Sequence, residues 1–189
     1  MLLYIDRSIL NEYTSPQAFS GLREQNRSVW NPKSGLLNVD HINPTRPVSD
    51  PEMTDSGGAL RVKYFTENSR FFDIELFDVM DKRQGIEHVV AHEQGLAMPG
   101  MVIAAGDSHT TTYGALGAFG FGIATSEIEL FLATQTLVYK KLRNMRVTLE
   151  GQLGAGVSSK DVIMALIARI GADGGYERHF KDIATRLDG

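Results

Sequence analysis

Short apolar runs alternate with amphipathic stretches along this chain, and that rhythm restricts the fold more than any other feature. Leu2 to Ile5, Leu36 to Asp40, Asp73 to Phe77, Met101 to Ala105 and Val147 to Leu149 have the length and composition of buried strands. Helix signals lie between them. Ser15-Pro16 offers an N-cap with proline at the first helical position, opening a short helix through Leu22. Helices are also predicted over Gly58 to Phe71 and Gly85 to Glu93. Thr125-Ser126-Glu127 starts another with an acid in its first turn, continuing to about Lys141. Ser158 or Ser159 caps a helix over Lys160 to Ile170, and Gly171 stops it. The stretch Asn43 to Pro51 is a loop, because proline removes donors and pushes its predecessor out of the helical region. Strands alternating with helices give a layered α/β domain, a largely parallel sheet with helices packed on it.

Composition narrows the functional classes. At 189 residues, 42% hydrophobic and 22% charged, the chain can bury a proper core as an ordinary soluble globular protein. A net charge of -4 leaves no basic footprint, which argues against nucleic acid as a partner. No apolar run approaches a membrane span. The start, Met1 to Asp6, has no basic region and no small-residue cleavage site, so it reads as a first strand, and a cytoplasmic location is expected. There is no cysteine, which removes disulfides, thiolate metal ligands and cysteine nucleophiles from these residues.

In α/β proteins ligands collect at the carboxyl ends of the strands. Gly106-Asp107-Ser108-His109-Thr110 stands there, directly after the Met101 to Ala105 run, and groups an acid, a hydroxyl and an imidazole. Asp40-His41 ends another strand, Gln17 lies in the first turn of a helix, and His88 lies in a short helix. A carboxylate beside an imidazole fixes its tautomer and raises its basicity, the usual arrangement for a proton-transfer group. In isolation, an Asp-His pair in a loop is more often a solvated turn or a capping contact, while for Asp107-Ser108-His109 the functional and structural readings weigh about the same. Gly114, Gly117, Gly120 and Gly122 lack the GxGxxG spacing and follow no strand directly, so they indicate close backbone packing rather than dinucleotide binding. His88 and His92 share a helical face, as in a zinc site, yet no glutamate follows the first histidine, and no metal ligand is assigned. Ser108 sits in no nucleophile elbow.

The strings that carry most information occur in a fixed order. They are Leu3-Tyr4-Ile5-Asp6-Arg7, Thr14-Ser15-Pro16-Gln17-Ala18-Phe19, Asp40-His41, Gln84-Gly85-Ile86-Glu87-His88 and Glu93-Gln94-Gly95. Pro99-Gly100 follows, then Gly106 to Thr110, Phe121-Gly122-Ile123, Thr125-Ser126-Glu127 and Ala133-Thr134-Gln135. This series resembles the large subunits of the 3-isopropylmalate dehydratase family, in the aconitase superfamily. The resemblance covers nearly all of residues 2 to 175.

It implies part of the aconitase N-terminal region and a hydro-lyase that isomerises a 3-isopropylmalate-like hydroxy acid by dehydration and rehydration. In that family an iron of a 4Fe-4S cluster binds the substrate hydroxyl and carboxylate as a Lewis acid. Carried over by position, Gln17 and Ser108 contact substrate, and Asp40-His41 help protonate the departing hydroxyl. His88, Asp107 and His109 organise the iron-bound water and the substrate. The implied partners are a small hydroxy-dicarboxylic acid, a cysteine-bearing chain, and a small subunit that carries the catalytic serine base. Leucine biosynthesis is the default pathway.

Three positions depart from the family pattern. Ile42-Asn43-Pro44-Thr45 follows the Asp-His pair where the family has Asn directly; Tyr113 stands where His is common; His92 stands where Pro is common. These departures mark a diverged paralogue with an altered substrate, in a specialised pathway. The chain is less than half a family large subunit. The expectation is a truncated domain over residues 1–175 and a divergent tail from Tyr176 to Gly189. With no cysteine to hold the cluster, and acid–base groups contributing only ~10²- to 10⁴-fold, the chain alone is expected to be inactive. Two other readings stand beside this one. They are a non-catalytic interaction domain, and an enzyme using a single metal ion on His88, His92 and His109.

Overall fold

The computed structural model describes residues 1–43, 56–171, 174, 178–180 and 184–185. Most of the proline-rich loop, Gly175 and most of the expected tail lie outside these residues. The chain forms two compact units, Met1–Tyr139 and Lys140–Gly189.

In chain order the first unit runs β1 (Leu2–Tyr4), β2 (Arg7–Asn11), α1 (Pro16–Glu24), β3 (Gly35–Asn38), α2 (Ser56–Phe72) and β4 (Glu75–Phe77). It continues through α3 (Glu87–Glu93), β5 (Val102–Ala105), β6 (Phe119–Gly122), α4 (Thr125–Thr134) and β7 (Thr136–Val138). Five strands form one sheet in the order β4-β3-β2-β5-β6, and every pair is parallel. The α/β reading of the sequence therefore holds.

Strand side chains point alternately to opposite faces, so one short apolar run feeds two layers. Leu10, Leu37, Ala104 and Phe121 pack with Ala18, Phe19 and Leu22 of α1, Phe65 and Phe72 of α2, and Ile128, Phe131 and Leu132 of α4. On the other face, Ile9, Leu36, Phe77 and Ile103 pack with Val90 and Ala91 of α3 and with Tyr113. The register agrees: Ile9 lies opposite Leu36, and Leu10 opposite Leu37. Each fully buried Leu, Ile, Val or Phe among them contributes ~1.5 to 3 kcal/mol on burial.

Several elements differ from the sequence expectation, each for a physical reason. The apolar start, β1, is an outlying strand that pairs antiparallel with β7. The central strand is β2, whose Arg7 and Ser8 mask its apolar character. Arg7 Nη1 donates to the Lys33 carbonyl at 3.2 Å, and Ser8 is fully buried. The Ser15 hydroxyl donates back to Asn11 O at 2.7 Å and does not cap α1. The helix expected to reach Lys141 stops at Thr134. Gln135 takes φ 59°, its amide donates to Phe131 O, and its side-chain Nε2 donates to Ile5 O at 2.7 Å. The chain then turns into β7.

The glycine-rich run is a 3-10 turn over Thr110–Leu116 followed by β6. Close packing is indeed its purpose. A Cβ on Gly122 would stand 2.7 Å from the Asp107 carbonyl oxygen, and one on Gly120 would strike the Thr110 carbonyl oxygen.

The second unit holds β8 (Arg143–Met145), β9 (Thr148–Leu149), α5 (Ser159–Ile170), β10 (Arg178–Phe180) and β11 (Ala184–Thr185). β10 pairs parallel with β8, and β11 with β9. The Asp161 carboxylate accepts from Ser158 N at 2.7 Å and Ser158 Oγ at 2.6 Å, and Gly171 at φ 82° ends α5. Among the described residues no helix is long and apolar enough to cross a membrane.

Gly120→Ala is expected to lower stability by ~1 to 3 kcal/mol, because the added carbon meets backbone and the Tyr113 Cβ rather than a movable chain end. Urea unfolding followed by circular dichroism measures this, and an unchanged midpoint would count against the packing assigned to that glycine.

Candidate active site

β3 and β4 lie on one side of β2, and β5 and β6 on the other, so β2 and β5 flank a topological switch point. Parallel sheets open a crevice there, beyond the carboxyl ends of the strands. The residues that follow each strand gather at this end. Asn11 ends β2 and Glu12 follows it, Asp40 and His41 come after β3, Glu87 and His88 open α3 after β4, and Asp107 comes after β5.

Glu12 organises the crevice. It is fully buried, and its two oxygens accept three backbone amides, from Asp40 at 3.2 Å, His41 at 2.8 Å and Ile42 at 2.8 Å. That grip sets the turn carrying Asp40 and His41. Asp40 Oδ1 holds His41 Nδ1 at 2.7 Å, and Asp40 Oδ2 accepts the Glu87 amide at 2.6 Å. Asn38 Nδ2 donates to Gly85 O, and Gln84 Nε2 donates to Val39 O, both at 2.6 Å. These bonds fix the entry to α3 against the end of β3.

His88 then meets the third strand end. Its Nε2 bonds Asp107 Oδ1 at 2.6 Å, and its Nδ1 lies 3.0 Å from the Tyr113 hydroxyl. Asp107 Oδ1 also accepts the His109 amide at 2.7 Å, and Asp107 Oδ2 lies 3.6 Å from His41 Nε2. Two histidine–carboxylate pairs, His41–Asp40 and His88–Asp107, thus face one another. His109 is 81% exposed over this cluster, with Ser108 Oγ 3.2 Å from its Nδ1. Gln17 lies exposed on the first turn of α1 and makes no hydrogen bond with the cluster. His92 is not part of it either; the face of α3 that carries His88 and His92 packs both rings edge-on against Tyr113.

The model of the aconitase family (aconitate hydratase) matches residues 1–180. The chain belongs to the aconitase family. It is 80% identical over 174 residues to 3-isopropylmalate dehydratase large subunit 1 of Mannheimia succiniciproducens, covering 92% of this chain and 37% of that protein. It is 69% identical over 182 residues to 3-isopropylmalate dehydratase large subunit 2 of Salmonella typhimurium, covering 95% of this chain and 38% of that protein. The chain therefore spans under two fifths of the length of these relatives.

The donor set of this aconitase-family chain decides what it can hold. A 4Fe-4S cluster takes cysteine thiolates, and none of the 189 residues is cysteine. These residues do not fit a cluster's ligand set. Glu12–Asp40–His41 and Glu87–His88–Asp107 each place three ligand-type atoms within 4.8 Å of one another. Most of those atoms are already taken up by one another, by backbone amides or by Asn11, so both groups are chiefly hydrogen-bond networks, with Glu87 Oε1 the exception.

Charge is arranged with equal care. Glu87 is 1% exposed and its Oε1 has no hydrogen-bond partner among the described residues, while Oε2 accepts from Asn11 Nδ2 at 3.1 Å. Burial first, then the Asp40 charge, pushes its carboxyl up to about 8, so it is neutral at pH 7. Burial opposes charge on Asp107 too, but the bonds from His88 and the His109 amide hold its carboxyl at about 2. Burial pulls the His41 imidazole down, and the Asp40 carboxylate outweighs it, leaving a raised value.

Sequence reasoning missed Asn11, Glu12 and Glu87. The available signal was two adjacent polar residues, Asn11-Glu12, between an apolar run and a proline-started helix. A carboxyl there is either solvated or gripped, and only the neighbouring strand decides which.

Glu12→Ala is expected to destabilise the chain by at least ~1 to 3 kcal/mol, the cost of leaving even one buried donor unpaired. It should also release the turn at residues 40–42, and faster amide hydrogen exchange at Asp40, His41 and Ile42 is the readout. The Glu87 carboxyl gives a pH signature. Its folded value lies above the ordinary 4.5, so its contribution is fully present below pH 4.5 and is lost as pH rises to about 8. Stability should fall across that window, and Glu87→Gln should remove the slope. An identical slope in Glu87→Gln, by denaturant unfolding at each pH, would sink the assignment.

Proposed function

We propose that this chain supplies the proton-handling wall of a hydro-lyase acting on a 3-isopropylmalate-like hydroxy acid, working with chain that lies outside these 189 residues. One observation carries the reading: two histidine–carboxylate pairs face each other at the switch point of the sheet. The 80% identity to a 3-isopropylmalate dehydratase large subunit supports the same chemistry.

Dehydration removes a hydroxyl and the proton from the neighbouring carbon, so the site must give one proton and take another. His41 is built to give. Asp40 holds its Nδ1, and its Nε2 points toward Asp107 on the crevice side. Against the pull of burial, the Asp40 carboxylate raises the His41 pKa, which favours the protonated imidazole that can deliver a proton to a departing hydroxyl. Asp107 stays ionised and anchors both His88 and the His109 amide. It fixes the geometry in which those rings meet substrate. Exposed Ser108 and His109, next to Asp107, are assigned contacts with the substrate's polar groups, and Gln17 takes the same role by family resemblance alone. The thiolates of a 4Fe-4S cluster, and a small subunit carrying further catalytic groups, come from elsewhere in the assembly.

A chimera tests this. The chain replaces the matching segment of the Salmonella typhimurium large subunit, and 3-isopropylmalate isomerisation is assayed with the small subunit present. The chimera should turn over, and His41→Gln should cut kcat by ~10²- to 10⁴-fold. A folded, cluster-loaded chimera that is inert, or indifferent to His41→Gln, overturns the reading. The isolated chain should show no turnover, and measurable activity from it would contradict its role as one part of a larger site.

A further inference from the structure

We propose that Tyr113 is a positioning residue whose hydroxyl donates to Nδ1 of His88 and fixes that imidazole as the Nε2–H tautomer facing Asp107. The inference deepens the hydro-lyase reading, on which its catalytic consequence rests.

Both ring nitrogens of His88 are occupied, and both partners come from one short segment. Nε2 lies 2.6 Å from Asp107 Oδ1 and Nδ1 lies 3.0 Å from Tyr113 Oη. Asp107 is ionised at neutral pH and has no proton to donate, so Nε2 must carry the hydrogen. Nδ1 is then the acceptor, and the phenol must be the donor. Tyr113 suits the task. It is fully buried, and burial pushes its pKa up, so it keeps its proton. Among the described residues its hydroxyl has no hydrogen-bond partner other than His88. If Nδ1 carried the proton instead, the phenolic hydrogen would be buried without an acceptor, which costs more than one ordinary hydrogen bond contributes.

The clamp is rigid. The Thr110 hydroxyl donates to Asp107 O at 2.6 Å, which closes the first turn of the gripping segment. Gly120 leaves room for Tyr113 and little more, since a Cβ added there would stand 3.0 Å from the Tyr113 Cβ. The phenol ring meets His88 edge-on at 5.2 Å and 74°, and His92 edge-on at 5.3 Å and 71°. His92 thus buttresses the tyrosine. A flip of the His88 ring would lose both hydrogen bonds at once. Tyr113 acts through His88 and does not itself face the crevice.

The test is nitrogen-15 NMR of the histidines in the full chain, with His88→Gln identifying the His88 signals. The wild type should show His88 as a single Nε2–H tautomer with a hydrogen-bonded Nδ1. Tyr113→Phe keeps the ring and deletes the hydroxyl, and should shift the Nδ1 resonance to that of an unbonded nitrogen. Incorporation of 3-fluorotyrosine keeps the fold and makes the phenol a stronger donor, so it should shift Nδ1 the opposite way. An Nδ1–H tautomer in the wild type, or resonances unmoved by both changes, overturns the proposal. In the chimera, Tyr113→Phe should lower kcat about tenfold with KM unchanged, the size expected for one hydrogen bond. An unchanged kcat would overturn the catalytic consequence. A chimera inert even with Tyr113, with the tautomer shift intact, would instead count against the hydro-lyase reading alone.

Discussion

The grip of Glu12 on three backbone amides is the constraint on which the crevice depends. Where crossovers diverge from adjacent parallel strands, the chain leaves amides that the sheet no longer pairs, and burial makes each of them costly. Glu12 follows the central strand, and its two oxygens meet Asp40, His41 and Ile42 across the gap. Asn11 performs the complementary task, accepting from the Tyr13 and Thr14 amides while its Nδ2 reaches Glu87. The histidines owe their positions to these two residues, neither of which is a proton donor to the crevice.

Depth sorts the carboxyls by charge. Asp107 is partly exposed and bonded by an imidazole and an amide, and it ionises readily. Glu87 is buried beside Asp40, and a second charge there would be repelled as well as stripped of water. Keeping Glu87 neutral lets the two histidine–carboxylate pairs stand close without a third anion between them. Environment, and not residue type, separates these acids.

Much of the fold was legible because its signals are local. Asp40-His41 and Asp107-Ser108-His109 are adjacent in the chain, so their pairing needed no tertiary information. The capping of α5 by Ser158 and Asp161 and its stop at Gly171 were equally local. What escaped depends on distant partners. Glu12 is an unremarkable acid until β3 lies beside β2. β6 has glycines with poor strand propensity, kept because carbonyl oxygens of Thr110 and Asp107 leave no room for a side chain. The overlong helix came from carrying the pattern past Thr134 into Gln135 and Leu137, although Thr136, Val138 and Tyr139 favour a strand, and tertiary bonds to Gln135 end the helix. Gln17 stood out as a polar residue at a helix start, its substrate role came through family resemblance, and it is exposed with no hydrogen bond to the cluster.

The Asn11–Glu87 hydrogen bond joins residues 76 apart in sequence, and the Asp40–Glu87 bond joins residues 47 apart. Closing loops of that length is entropically unfavourable, and contacts of such separation slow the folding of a domain. The crevice is therefore assembled only when β2, β3 and α3 have all docked. Its polar groups cannot be preformed on a hairpin or a single helix. A nascent chain emerging residue by residue can hold adjacent Asp40 and His41 together, but it keeps Glu12, Glu87, His88 and Asp107 apart and solvated until the sheet brings them together.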